Sequence, residues 1–118
     1  MKTCECLGWW QQEGWGRQPM RELQLGFSGH CIEGHGVDVV APFSLTGLLR
    51  PDGTVQIVKQ YLGRHTVQYV GHYDGEGTLF GQWGIGGCRG DWSIKLLRPQ
   101  AEGPSCDIAE LAPRQSRL

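Results

Sequence analysis

The chain has 118 residues, a formal net charge of −1 and an isoelectric point near 6.4. This length fits one domain with a single modest core. Nucleic acids and anionic membrane surfaces attract clustered positive charge, whereas the 11 basic residues are scattered singly along this chain, so we expect neither as a partner.

Turn signals recur about every ten to twelve residues between Ser28 and Gly90. They include Ser28-Gly29, Pro51-Asp52-Gly53, Gly63-Arg64 and Asp74-Gly75-Glu76-Gly77. The runs between them are rich in β-branched and aromatic residues. Short strands at even spacing, joined by tight turns, are typical of an antiparallel all-β meander.

We predict eight strands in chain order. The first spans about residues 7–15 and places Trp9 and Trp15 on one face. The others span residues 20–27, 31–37, 42–49, 54–62, 66–73, 78–85 and 91–97. Most of them alternate apolar and polar residues with a period of two, which predicts one buried side and one solvent-facing side.

An eight-strand meander has two unpaired edges unless its last strand pairs with its first. We therefore predict an up-and-down meander closed into a small barrel over residues 1–98, followed by a mobile tail over residues 99–118. An open sheet that dimerises face to face is the alternative. Five glycines on the predicted inward side would give room or permit sharp coiling: Gly34, Gly36, Gly47, Gly71 and Gly81.

The segment Glu13-Gly14-Trp15-Gly16 at the first strand, with Trp83 and Trp92 in the last two strands, resembles the calycin architecture. By length the chain is more similar to avidin-like barrels than to the larger lipocalins, and the resemblance covers about residues 7–98. The downstream Thr-Asp-Tyr segment of lipocalins has no counterpart here. The resemblance implies a barrel with a pocket and names no ligand.

Two charged residues fall on the predicted inward side. Lys59 lies between Ile57 and Tyr61, and Asp38 follows Gly36 at the end of the third strand. Because burying a lone charge is costly, we expect these two residues to form an ion pair or to face a water-filled cavity. The alternatives are that Lys59 reaches solvent at a barrel mouth and that Asp38 caps a turn.

Aromatic residues share this inward side and extend the candidate site. The predicted ligand-binding residues are Asp38, Lys59, Tyr61, Tyr69, Trp83 and Trp92. Such side chains fill cores and also wall small-molecule sites. We predict a binding module for an apolar or aromatic small molecule. The alternative is a solid barrel that self-associates as a homo-oligomer through the outward residues Leu48, Val58, Val70 and Phe80.

Catalytic motifs are weak in this sequence. No serine occupies a Gly-x-Ser-x-Gly context, and phosphate-loop and dinucleotide motifs are absent. Acid–base chemistry by Lys59, Asp38 and a tyrosine, as in a lyase or isomerase barrel, is the enzymatic alternative. We name no catalytic residues and favour a protein that is not an enzyme.

The cysteines indicate the compartment. The chain has five cysteines, an odd number, and its N-terminal segment has no apolar stretch long enough for a signal peptide. We therefore expect free thiols and a cytoplasmic protein without a membrane span. Cys4 and Cys6 lack a clear second pair of metal ligands, since His30 and His35 would point to opposite faces of a strand. We expect no metal and no cofactor.

Overall fold

The computed structural model describes residues 2–99 as eight antiparallel strands closed into one barrel. The strands are β1 (Lys2–Gln12), β2 (Gly16–Ser28), β3 (Cys31–Val37), β4 (Pro42–Leu49), β5 (Thr54–Tyr61), β6 (Thr66–Tyr73), β7 (Thr78–Ile85) and β8 (Cys88–Pro99). Each strand pairs with the next, and β8 returns to pair with β1, where Trp10 lies opposite Trp92. The predicted closed all-β barrel is confirmed, and the open-sheet alternative is wrong.

The prediction was least accurate for the first strand. β1 begins at Lys2 and ends at Gln12, because a tight turn follows in which Gly14 has a positive φ angle of 89°, and β2 then begins at Gly16 with a φ of 77°. The shared face predicted for Trp9 and Trp15 is therefore wrong. Trp10 is the inward tryptophan of this strand and is 6% exposed, whereas Trp15 lies in the turn and is 57% exposed.

The core fills the barrel with inward side chains that alternate along each strand. In β5 the buried residues are Val55, Ile57, Lys59 and Tyr61, which matches the period of two. β2 departs from this alternation at Glu22, whose φ of 53° accompanies a register shift against both neighbouring strands. This bulge allows Met20 and Leu23, an odd number of residues apart, both to point inward.

The inward glycines lie where the backbones of neighbouring strands approach each other closely. Gly71 lies directly opposite Gly81 in the β6–β7 ladder. A Cβ atom at Gly71 would overlap the carbonyl oxygen of Phe80, and one at Gly81 would overlap that of Val70. The expectation that these glycines give room is corrected, because the neighbouring backbone fills the space that a side chain would need. The sharp coiling that was the other expectation stays a prediction.

Four further predictions concern the cysteines, metal ions, membrane spans and the C-terminal tail. Cys6, Cys31 and Cys88 are free thiols, whereas Cys4 is disulfide-bonded, so the expectation of free thiols is wrong for Cys4. Within residues 2–99 there is no cluster of three or more His, Cys, Asp or Glu that could hold a metal ion. The same part of the chain contains no helix long and apolar enough to cross a membrane. Apart from Pro99 in β8, the predicted tail lies outside the described residues.

Candidate functional site

One end of the barrel contains an open cavity of about 120 Å³, which we call the end cavity. Because successive strands are antiparallel, the loops at residues 13–15, 38–41, 62–65 and 86–87 all lie at this end. The inner wall of the end cavity consists of inward side chains, namely Trp10, Tyr61, Val67, Tyr69 and Trp83. Its rim consists of residues in or next to the loops, namely Gln12, Trp15, Val40, His65 and Ile85.

Three tryptophans line one side of the end cavity and fix one another's positions. Trp10 packs edge-to-face against Trp83, with ring centroids 5.8 Å apart and an interplanar angle of 88°. Trp15 reaches over from the β1–β2 turn to within 6.2 Å of the Trp10 ring centroid. The Trp83 indole N–H donates a hydrogen bond of 3.1 Å to the Gln11 carbonyl, which anchors that ring to β1.

The floor behind this wall is a buried polar network. Lys59 and Asp38 form a salt bridge of 2.7 Å, and they are 0% and 3% exposed. The same Asp38 Oδ2 accepts hydrogen bonds from the Tyr61 hydroxyl at 2.7 Å and from the Trp10 indole N–H at 3.0 Å. Lys59 Nζ also donates to the Tyr69 hydroxyl at 3.1 Å. The network therefore connects β1, β5, β6 and the β3–β4 loop.

Asp38 has both of the roles that the sequence left open. Its Oδ1 atom accepts the backbone N–H of Val40 at 2.8 Å and that of Ala41 at 3.5 Å, which is the turn-capping role. Its Oδ2 atom faces inward and accepts from Lys59. The β3–β4 loop thereby holds the carboxylate in a fixed orientation beneath the end cavity.

Lys59 does not reach solvent, so the mouth position considered for it is wrong. Its ammonium lies among four aromatic rings, 4.3 Å from the Phe43 centroid, 4.8 Å from Tyr61, 5.3 Å from Tyr69 and 5.7 Å from Trp10. The electron-rich ring faces stabilise a cation at these distances. Aromatic contacts and the salt bridge together compensate for the lost hydration of the ammonium.

The environment shifts the pKa values of the four titratable groups in the network, which are Asp38, Lys59, Tyr61 and Tyr69. Burial lowers the pKa of Lys59 to about 8, although the hydrogen bond and charge of Asp38 oppose this shift. Burial alone would raise the pKa of Asp38, but hydrogen bonds and charge from Lys59, with hydrogen bonds from Tyr61 and Val40, hold that pKa below its usual value. Burial, reinforced by the Asp38 charge, raises the pKa of Tyr61 and of Tyr69 well above the ordinary range. At neutral pH both tyrosines are therefore neutral phenols.

The structure brings together five of the six predicted site residues. Tyr61, Tyr69 and Trp83 line the end cavity, while Asp38 and Lys59 contact those tyrosines from behind. Trp92 lies apart from the cavity wall in the core, 1% exposed, with its ring centroid 5.1 Å from that of Tyr69. Its indole N–H donates to the carbonyls of Val70 and Gln82, both at 3.1 Å.

Sequence reasoning missed part of the wall and most of the rim. Trp10 would have been found if the first strand had been extended back to Lys2, since the alternation Cys4, Cys6, Gly8, Trp10 then becomes visible. Trp15 and His65 belong to different turns, and they line the same cavity only because alternate loops of a closed meander share one end.

Comparison of the chain with protein-family models, with curated proteins and with solved structures returned no match. The resemblance to calycin barrels therefore stays a prediction, and the functional argument depends on the geometry of the end cavity.

Proposed function

We propose that this barrel is a binding module that takes a compact apolar or aromatic small molecule into the end cavity. The observation that carries the proposal is an open cavity walled by aromatic side chains at one end of a closed barrel. Small-molecule sites combine such apolar walls with a few placed polar groups. Here the polar groups are the hydroxyls of Tyr61 and Tyr69, which the buried ion pair holds in position.

The size of the end cavity limits the ligand. Its volume of about 120 Å³ is below the range of roughly 300–1,000 Å³ that is usual for drug-sized ligands. An apolar cavity of about 150 Å³ is known to accept benzene. We therefore propose a single ring, or the ring of a larger molecule whose remainder extends past Trp15 and His65 at the rim.

Acid–base catalysis by Lys59 and Asp38 has less support. The two groups bond to each other, and the cavity wall consists of the tyrosines in front of them. A substrate in the end cavity would therefore contact two phenols with raised pKa values before it contacted either charged group.

A cytoplasmic location stays a prediction.

Ligand binding can be tested by following the indole N–H signals of the five tryptophans by NMR during titration with toluene or acetophenone. We expect the signals of Trp10 and Trp83 to shift, because both indoles line the end cavity, while the signal of Trp9, which does not line it, serves as an internal reference. For ligands this small we expect a Kd of about 0.1–1 mM.

A matched pair of variants tests the location. Val67→Phe places a larger side chain in the cavity wall and should abolish the shifts, whereas Val58→Phe makes the same change on the outside of β5 and should preserve them. Shifts that persist in Val67→Phe, or no shift with either compound in the unmodified protein, would contradict the proposal.

A second function, self-association into a homo-oligomer, is supported by the outer wall of β4 to β7. Lys59, which is buried, is the only charged residue in these four strands. The exposed residues of this wall include Leu48, Val58, Val70 and Phe80. Protein interfaces are depleted of charge at their centres, and we therefore propose a second copy of this chain as the partner of this wall.

A further inference from the structure

The buried network leaves one hydrogen-bond donor unused, and that donor belongs to a residue that lines the end cavity. Lys59 has three N–H groups. They are directed to Asp38 Oδ2 at 2.7 Å, to the Tyr69 hydroxyl oxygen at 3.1 Å and to the sulfur of Met20 at 3.8 Å. Because the ammonium carries no lone pair, the Tyr69 hydroxyl must be the acceptor in its bond with Lys59.

The Tyr69 hydrogen therefore needs a different partner. No acceptor for it is found among residues 2–99, since the only hydrogen bond of this hydroxyl within that range is the one from Lys59. Tyr69 is 2% exposed and lines the end cavity. A buried donor without an acceptor is costly, so the hydroxyl is placed to donate to a molecule that enters the cavity.

Tyr61 differs from Tyr69 in this respect. Its hydroxyl hydrogen is committed to Asp38 Oδ2 at 2.7 Å, which leaves its oxygen able only to accept a further hydrogen bond. The two tyrosines of the cavity wall thus carry one free donor, on Tyr69, and one acceptor site, on Tyr61.

The charges of the floor disfavour an ionic ligand. Asp38 and Lys59 neutralise each other at 2.7 Å, and three hydrogen bonds already converge on Asp38 Oδ2. An anion or a cation in the end cavity would lose hydration without gaining an uncompensated opposite charge. A neutral molecule avoids this cost.

We propose that the ligand is a neutral, ring-containing molecule with a carbonyl or similar oxygen that accepts a hydrogen bond from Tyr69. This assignment rests on the proposed function, because it requires that the end cavity binds a ring. The ring lies against the side of the end cavity that Trp10 and Trp83 form, and its acceptor oxygen is directed to Tyr69.

Three probes of similar size separate the contributions to binding. Toluene offers a ring alone, acetophenone adds a neutral acceptor, and benzoate adds a charged one. In the unmodified protein we expect acetophenone to bind about tenfold more tightly than toluene, which is the gain from one hydrogen bond to a buried donor. We expect benzoate to bind at least about tenfold more weakly than acetophenone.

The variant Tyr69→Phe keeps the ring and removes the donor. We expect its affinity for toluene to stay within about twofold, while the preference for acetophenone disappears. Tyr73→Phe removes a hydroxyl at the opposite end of the same strand and should keep the preference. A second measurement needs no variant: the ¹³Cζ resonance of Tyr69 should shift more with acetophenone than with toluene.

The results distinguish the ligand assignment from the proposal that the end cavity is a binding site. Equal binding of toluene and acetophenone, a preference that survives in Tyr69→Phe, or tightest binding of benzoate would overturn the ligand assignment while leaving the cavity as a binding site. Failure of both toluene and acetophenone to bind the unmodified protein would overturn the proposed function itself, and the assignment with it.

Discussion

Lys59 and Asp38 depend on each other because neither charge has access to water. The ammonium has Asp38 as its only anionic partner within the described residues, together with the faces of four rings. Removing one member of a buried pair leaves the other charged and unpaired, which costs more than the pair contributes over an apolar replacement. The pair is also hydrogen-bonded to the hydroxyls of Tyr61 and Tyr69, so we expect its loss to affect both stability and the cavity wall.

We expect Lys59→Met to lower the free energy of unfolding by about 3 kcal/mol or more, because Asp38 would remain as a lone buried carboxylate. The double change Lys59→Met with Asp38→Asn should recover part of this loss, since it removes the stranded charge. Denaturant unfolding followed by tryptophan fluorescence measures both.

Lys95→Met is the matched control, because Lys95 is exposed on the outside of β8 and its substitution should change stability by no more than about 0.5 kcal/mol. If Lys59→Met were as neutral as this control, the ion pair would not stabilise the floor of the end cavity.

This pair was largely predictable from the sequence, whereas the hydrogen bond from Trp10 and the free donor on Tyr69 were not. A charged residue at an inward position of an alternating strand requires compensation, which identified Lys59 and Asp38 together. The contribution of Trp10 depends on the start of β1, where the glycines at positions 8, 14 and 16 obscure the strand ends. The free donor on Tyr69 follows from the direction of individual hydrogen bonds, which no sequence pattern encodes.

At the level of elements, strands β3, β4, β6 and β7 have the bounds that the alternation predicted. Their ends coincide with clear turn signals, and their inward positions contain only apolar residues, tyrosines and glycines. The longer β1, β2 and β8 were underestimated, because bulges and glycines break the alternation there. Period-two patterns thus find regular strands reliably and lose the irregular ones.

The contact between β6 and β7 offers a direct test of the role assigned to the inward glycines. We expect Gly81→Ala to lower the free energy of unfolding by about 1–3 kcal/mol, because its methyl group would overlap the Val70 carbonyl and force the two strands apart. Thermal or denaturant unfolding measures the loss.

Gly87→Ala provides the comparison for this change. Gly87 lies in the β7–β8 turn without a positive φ, and a Cβ atom there would meet no atom within 4 Å. The alanine should be neutral or slightly stabilising, because it restricts the unfolded chain. Equal effects at both positions would mean that backbone approach does not explain Gly81.

For the whole molecule, closure of the barrel determines where a ligand and a partner can bind. A closed sheet has no free edge, so binding is confined to the barrel ends and to the outer wall. Closure itself was predictable from strand count. The location of the end cavity was not, because it depends on how four loops distant in sequence fill one end of the barrel.

The outer wall of β4 to β7 offers exposed apolar residues and no exposed charge to a second copy of this chain. Its apolar residues are diagonal neighbours on successive strands: Leu48, Val58, Val70 and Phe80. Four strands of eight residues cover about 500 Å² in projection, and the accessible area is larger because the surface is corrugated. This approaches the roughly 800 Å² that each partner buries in a standard interface.

We therefore expect the protein to be a dimer at about 50 µM, and size-exclusion chromatography with light scattering measures its mass directly. Val70→Lys places a charge in the centre of the uncharged wall, where a second copy would bring an identical charge close to it, so this variant should be monomeric. Leu7→Lys makes a comparable change on β1, three strands away around the barrel, and should stay dimeric. A monomeric unmodified protein, or dissociation by both variants alike, would exclude this wall as the contact between copies. The end cavity would then be the part of the molecule to which a function can be assigned, since closure leaves it accessible at the loop end whether the protein is a monomer or a dimer.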